Sequence, residues 1–141
     1  MTIKQLSVFV ENKAGTLVKV LRLIADANIH IIASTTPDTV DFGIARIICT
    51  EPRRAFELLK EAGVSVALSD VFVLVLPNET GAAASAIERF ADAGINLTYI
   101  YSFLLRGKGI LIFRTDNPDK TREVIVLDRL QTTTELELLQ M

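Results

Sequence analysis

The chain is poor in the residues on which metal centres and much of enzyme chemistry depend. Among 141 residues there is one cysteine, one histidine and no tryptophan. A lone Cys49 excludes an intrachain disulfide and a thiolate-rich metal site. His30 has no second imidazole with which to form a zinc site. No carboxylate pair, nucleophile–base set or metal-ligand cluster stands out. Catalytic residues, metals and cofactors are therefore not expected. Charge of one sign is also missing: 15 Lys and Arg against 17 Asp and Glu leave a formal −2. The basic residues are scattered, and the densest cluster is Arg53-Arg54. That balance argues against a nucleic-acid partner, because phosphate binding needs grouped cations. No apolar run nears the roughly 20 residues that a membrane span requires. The opening MTIKQLSVFV lacks the charged start and long apolar core of a signal peptide. The expectation is a soluble, cytoplasmic chain with no membrane partner.

What is present is a globular composition, half hydrophobic and 23% charged. It is also written twice. Sliding the sequence along itself until Gly15 meets Gly81 aligns most of the chain without a gap. Asn12 falls on Asn78, Ala25-Asp26-Ala27 on Ala91-Asp92-Ala93, Ile29 on Ile95, Gly43-Ile44 on Gly109-Ile110 and Pro52 on Pro118. Leu17, Val20, Leu21 and Ile24 keep the i, i+3, i+4, i+7 spacing of a buried helix stripe. Ala83, Ala86, Ile87 and Phe90 repeat it. Ala62 falls on Asp128, so the last helix is expected to be less well buried at its end.

Each copy reads β-α-β-β-α-β. Strands are expected at 3–10, 29–35, 42–49 and 64–69, with helices at 16–27 and 52–62 and a turn around Pro37-Asp38. The second copy places strands at 71–77, 95–104, 109–115 and 132–139, and helices at 82–93 and 118–130. Pro52 suits a first helical turn, where its missing N–H costs nothing, and Gly63 suits a helix stop. Arg106-Gly107-Lys108-Gly109 supplies a hairpin turn. The fold class is therefore α+β: two tandem ferredoxin-like βαββαβ units, residues 1–70 and 71–141, with antiparallel sheets and helices on one face. Only Asp70 separates the halves, so no flexible linker joins them. Val71–Leu76 is apolar on both faces. The helix-free side of that sheet must therefore pack against either the sister half or a second chain.

Both copies set Asn-x-x-Gly between first strand and first helix: Asn12 to Gly15 in ENKAGTL, and Asn78 to Gly81. A helix start offers unpaired N–H groups and the positive end of a dipole, which suit a small carboxylate. Asn adds an uncharged donor and acceptor, a pattern fit to read a zwitterion. Alternatively, Asn and Gly only build the turn.

Taken together, SVFVENKAGTL, ADANIHI, DFGIARI and ADAGINLTYIYSF resemble a tandem ACT-domain protein, close to the small stand-alone pairs of these regulatory, amino-acid-binding modules. The resemblance covers nearly the whole chain. It implies ligands where two ACT domains pair side by side, the loop after strand one of one domain meeting the start of strand two of the other. Carried across by position, a first site combines Asn12, Ala14, Gly15 and Thr16 with Asn96 and Leu97. A second combines Asn78, Thr80 and Gly81 with His30 and Ile31. The sequence departs from the family where proline often precedes the loop glycine, having Ala14 and Thr80 there. Where Leu is expected two residues past the second glycine it has Ala83. The first site is accordingly favoured.

Other residues keep two readings each. His30 either faces a ligand cleft or simply faces solvent. Tyr99, Tyr101 and Phe103 share one strand face, at a sheet interface or in an apolar pocket. Cys49 is either a small core residue or a reactive thiol. Arg53 and Arg54 oppose the helix dipole, and are either solvated or in contact with an anion. The resulting expectation is a non-enzymatic amino-acid sensor, a homodimer, with an enzyme regulated in trans as a further partner. The alternative is a dimerising scaffold whose loops bind nothing.

Overall fold

A computed structural model describes residues 1–11, 15–36 and 42–140, with the backbone alone at residue 42. Asn12, Ala14 and the expected turn around Pro37-Asp38 lie outside the described residues. The elements run β1 (Thr2–Glu11), α1 (Thr16–Asp26), β2 (Ile31–Thr35), β3 (Phe42–Cys49), α2 (Pro52–Glu61), β4 (Val66–Pro77), α3 (Ala82–Asp92), β5 (Leu97–Leu105), β6 (Lys108–Thr115), α4 (Pro118–Leu127) and α5 (Glu135–Gln140). The chain divides into two compact units, Lys4–Asp70 and Met1–Ile3 with Val71–Met141. The boundary falls inside β4, which runs through Asp70 as one strand.

In the N-terminal unit the strand order is β2-β3-β1-β4. β1 and β3 are antiparallel, with Leu6 opposite Ile47 and Phe9 opposite Ile44. Period-two alternation sends Leu6, Val8, Val10, Ala45, Ile47 and Cys49 into one core with Val20 and Ile24 of α1 and Ala55 and Leu59 of α2. Phe9 and Ile44 therefore point to the helix-free face, where they are 47% and 41% exposed. At the β4 edge the Phe9 amide donates to the Ser65 carbonyl at 3.0 Å, and Lys4 Nζ lies 2.6 Å from Asp70 Oδ1. Cys49 is fully buried, a core residue.

The C-terminal unit repeats the plan as β4-β6-β5. Phe72, Leu74, Leu76, Leu111 and Phe113 meet Ala86 and Phe90 of α3 and Val124 and Ile125 of α4. Phe113 stacks on Phe72 at 5.6 Å and tilts against Phe90 at 5.2 Å. The β5–β6 turn has Arg106 at φ 49° and Gly107 at φ 77°, the paired left-handed conformations of a two-residue hairpin. α4 ends with Val126 and Leu127 at 62% and 79% exposure, where the repeat fails at Asp128.

The strand expected at 132–139 is not formed; α5 stands there instead. The chain starts an edge strand as the first copy does, since the Val75 amide donates to the Gln131 carbonyl at 2.9 Å, the repeat equivalent of Phe9 and Ser65. It then leaves the sheet. β1 neighbours β4, and its first residues, Met1–Ile3, belong to this unit. Local chemistry agrees: Thr134-x-x-Glu137 has the sequence of a capping box, the Glu137 amide donating to Thr134 Oγ1 at 3.2 Å and its carboxylate accepting from Thr133 Oγ1 at 3.1 Å. Leu138 is buried, and Arg106 Nη1 donates to the Gln140 carbonyl at 3.3 Å, tying α5 to the hairpin.

Candidate functional site

The two strand-to-helix junctions share one backbone device. Gly15 (φ 90°) and Gly81 (φ 84°) both sit in the left-handed region at the N-cap of α1 and α3. A Cβ at either would meet nothing within 4 Å. Glycine is therefore demanded by the backbone angle, not by lack of room. Among the described residues no side chain caps either helix at its N-cap, and neither has an acidic residue in its first turn, the usual answers to a helix start's orphan donors. Thr16 Oγ1 donates to the Glu11 carbonyl at 2.6 Å, drawing α1 back to the end of β1. At the second junction the Ala82 amide donates to the Glu79 carbonyl at 3.2 Å. That leaves the Ala83 and Ala84 amides as first-turn donors with no intrahelical acceptor.

The strand-start residues also repeat. The His30 amide donates to Thr50 Oγ1 at 3.0 Å and its carbonyl accepts from the Thr50 amide at 2.9 Å. Asn96 and Asp116, their counterparts in the second copy, make the same pair at 3.0 Å each way. Asn96 Nδ2 adds a bond to Asp116 Oδ2 at 3.0 Å. That side-chain bond first, and the backbone amide of Asn96 second, hold the Asp116 carboxyl below its ordinary range. His30 itself is exposed. Arg54 Nη1 meets Glu51 Oε2 at 3.1 Å, a local pair that offsets its conflict with the α2 dipole.

Within one unit the loop and the strand start lie far apart. Glu11 at the end of β1 faces Phe42, whereas Ile31 at the start of β2 faces Cys49, at the opposite end of β3. At about 3.3 Å per residue that is roughly 23 Å. Pro77 and Leu97 are separated in the same way, facing Lys108 and Thr115 of β6. A single amino acid is too short to reach from Glu11 to Ile31, or from Pro77 to Leu97, within one unit.

A cleft of about 330 Å³ opens beside the second loop, inside the C-terminal unit. Asn78, Glu79, Ala82 and Ala83 form one wall, and Ser102, Leu104 and Gly109 face them from β5 and β6. Behind the loop a hollow of about 300 Å³ is lined by Thr80, Gly81, Ser85 and Arg89. Arg89 there lies 3.6 Å from Asp128. Among the described residues no group of His, Cys, Asp and Glu could hold a metal ion. None of the described helices is long and apolar enough to cross a membrane.

The sequence model of the ACT domain pair matches residues 1–141. The chain belongs to the ACT-domain-pair family. A crystal structure from Bacteroides thetaiotaomicron is 33% identical, with a TM-score of 0.93 over 100% of this chain and 98% of that one. The ligand-free regulatory subunit of aspartate kinase from Thermus thermophilus is 14% identical, with a TM-score of 0.62 over 88% and 91% of the two chains. The regulatory subunit from Thermus flavus is 16% identical, with a TM-score of 0.57 over 86% of each. These last two show the fold alone. No curated protein matches the chain.

As an ACT-domain pair, the molecule carries regulatory modules, and its candidate residues fall at two kinds of place. Gly15, Thr16, Thr80 and Gly81 stand at helix starts, with Asn78 just before; His30, Ile31, Asn96 and Leu97 stand where β2 and β5 begin. Glu79, Ser102, Leu104 and Gly109 were not singled out from sequence, yet they border the cleft. The run of small residues GAAASA signals a helix start without bulk, but nothing local marks the facing residues of β5 and β6.

Proposed function

We propose that this ACT-domain pair is a non-enzymatic amino-acid sensor. The observation that carries this reading is the repeated junction: a left-handed glycine at the N-cap, which has no side chain to cap the helix start that follows. Such a start attracts a carboxylate through its dipole and amides. The wide separation of loop and strand start within a unit supports a guest held by a loop of one ACT unit and a strand start of another. In the first site Gly15 and Thr16, with Asn12 and Ala14, would act with Asn96 and Leu97. In the second, Asn78, Thr80 and Gly81 would act with His30 and Ile31. The Asn96 amide nitrogen is engaged by Asp116, so its carbonyl oxygen is what it offers to an ammonium group. The cleft beside Asn78 and Glu79 strengthens the case for the second loop. The exposed Phe9–Ile44 pair supports a homodimer through the helix-free face, and an enzyme acting in trans would read the bound state.

A second reading, a dimerising scaffold, draws on the Ala82 amide, which the chain's own Glu79 carbonyl already satisfies. Thermal unfolding with each of the twenty amino acids separates the two. A guest at 100 times its Kd adds about 2.7 kcal/mol of stability. A flat response to all twenty would leave the scaffold.

A further inference from the structure

The two units differ where their shared plan brings α1 or α3 over the sheet. In the repeat alignment Thr16, Leu17 and Val18 become Ala82, Ala83 and Ala84. Leu17 is half-buried and packs on the core of the N-terminal unit. Ala83 is exposed and borders the cleft. The space that one unit fills with its own leucine is left open in the other. The facing wall does not close it: Gly109 has no side chain, Ser102 is short, and Leu104 stays 66% exposed. Two polar side chains, Asn78 and Glu79, stand at the loop side, and Glu79 is the one ionisable residue of the described lining.

We infer that the cleft of the C-terminal unit takes the side chain of an uncharged, aliphatic amino acid, whose methyl groups occupy the room that Leu17 fills in the first unit. The inference rests on the sensor reading and names the class of guest. A cleft of about 330 Å³ is at the small end of ligand sites. Apolar surface on Ala82, Ala83 and Leu104 would leave water when such a guest is seated. Glu79 favours the ammonium and repels a second carboxylate, and no basic residue of the described lining offsets an acidic side chain. A lysine guest would have to bury its charged end against the apolar wall.

The test is calorimetric titration of the full chain with L-leucine, L-isoleucine, L-valine, L-aspartate and L-lysine. Backbone amide NMR shifts at 82–84 and 102–104 serve as the site-resolved readout. The aliphatic amino acids are expected to bind at least about tenfold more tightly than aspartate or lysine, and to move those amides. A83L, and S102L from the opposite wall, both change exposed positions and should melt at or above the parent temperature. Each should weaken aliphatic binding at this cleft about tenfold or more, since a few methylenes suffice for such discrimination. Unchanged affinity and unchanged shifts in both variants, or a preference for aspartate or lysine, would overturn the inference and leave the sensor reading standing. Absence of binding by the three aliphatic amino acids would also overturn the inference, whereas the sensor reading falls only with a flat response to all twenty.

Discussion

The two units are nearly one design in their backbone and two designs in their side chains. Phe9–Ser65 and Val75–Gln131 make the same edge bond, and His30–Thr50 and Asn96–Asp116 the same tie. Gly15 and Gly81 take nearly the same left-handed angle, φ 90° and 84°. What varies hangs on that frame: Leu17 against Ala83, a fourth strand against α5, a hydroxyl tie at Thr50 against a carboxylate tie at Asp116. The fold depends on backbone turns and on apolar residues at the right period, which the repeat preserves. The cleft of the C-terminal unit is bordered by positions that the repeat leaves free, such as Ala83.

The largest expected effects test whether both cores are equally formed. Ile24→Ala should cost about 2–5 kcal/mol and its counterpart Phe90→Ala about 3–5 kcal/mol, both side chains being fully buried. Urea unfolding measures this, and a loss under about 0.5 kcal/mol at either site would break the comparison. Next come the paired glycines. Gly15→Val and Gly81→Val should each lose at least about 1–2 kcal/mol from the left-handed angle alone, and by similar amounts, because an added Cβ has no neighbour within 4 Å at either position. Clearly unequal losses would show that the junctions are not equivalent.

A smaller effect probes the point where the copies part. Thr134→Ala removes the cap of α5 and should cost about 0.5–2 kcal/mol, with faster amide exchange over 136–140. Protection in a two-residue alternation there would mean a strand after all. The smallest effect is at Asp116. The carboxyl is held low by Asn96, so its contribution is present above the ordinary carboxylate range near about pH 4 and fades as pH falls through its lower folded value. Asn96→Ala should raise the Asp116 titration midpoint, followed by NMR of the carboxyl carbon. An unmoved midpoint would remove Asn96 as the cause.

Much of the fold was legible because gapless repetition and apolar periodicity are local signals. Helices starting at Thr16, Pro52, Ala82 and Pro118 follow from the stripes and from the Pro and Gly punctuation. The miss at 132–139 has a physical cause. Projecting the repeat onto the C-terminus ignored the capping box at Thr134 and Glu137, and no local pattern signalled that Met1–Ile3 would join the second unit's edge. At the junctions the glycines could be read, since a left-handed N-cap follows from residue type. The cleft could not, because it depends on Ala83, Ser102 and Gly109 converging from three elements that are separate in the chain.

The central claim, that uncapped helix starts in twin ACT units receive the head group of an amino acid, is tested most directly by amide NMR during titration with a pooled set of the twenty. Saturable shifts are predicted at Gly81–Ala84, with a parallel set at Gly15–Val18 where the first loop also binds. Saturating concentrations that leave both helix starts unmoved would contradict it.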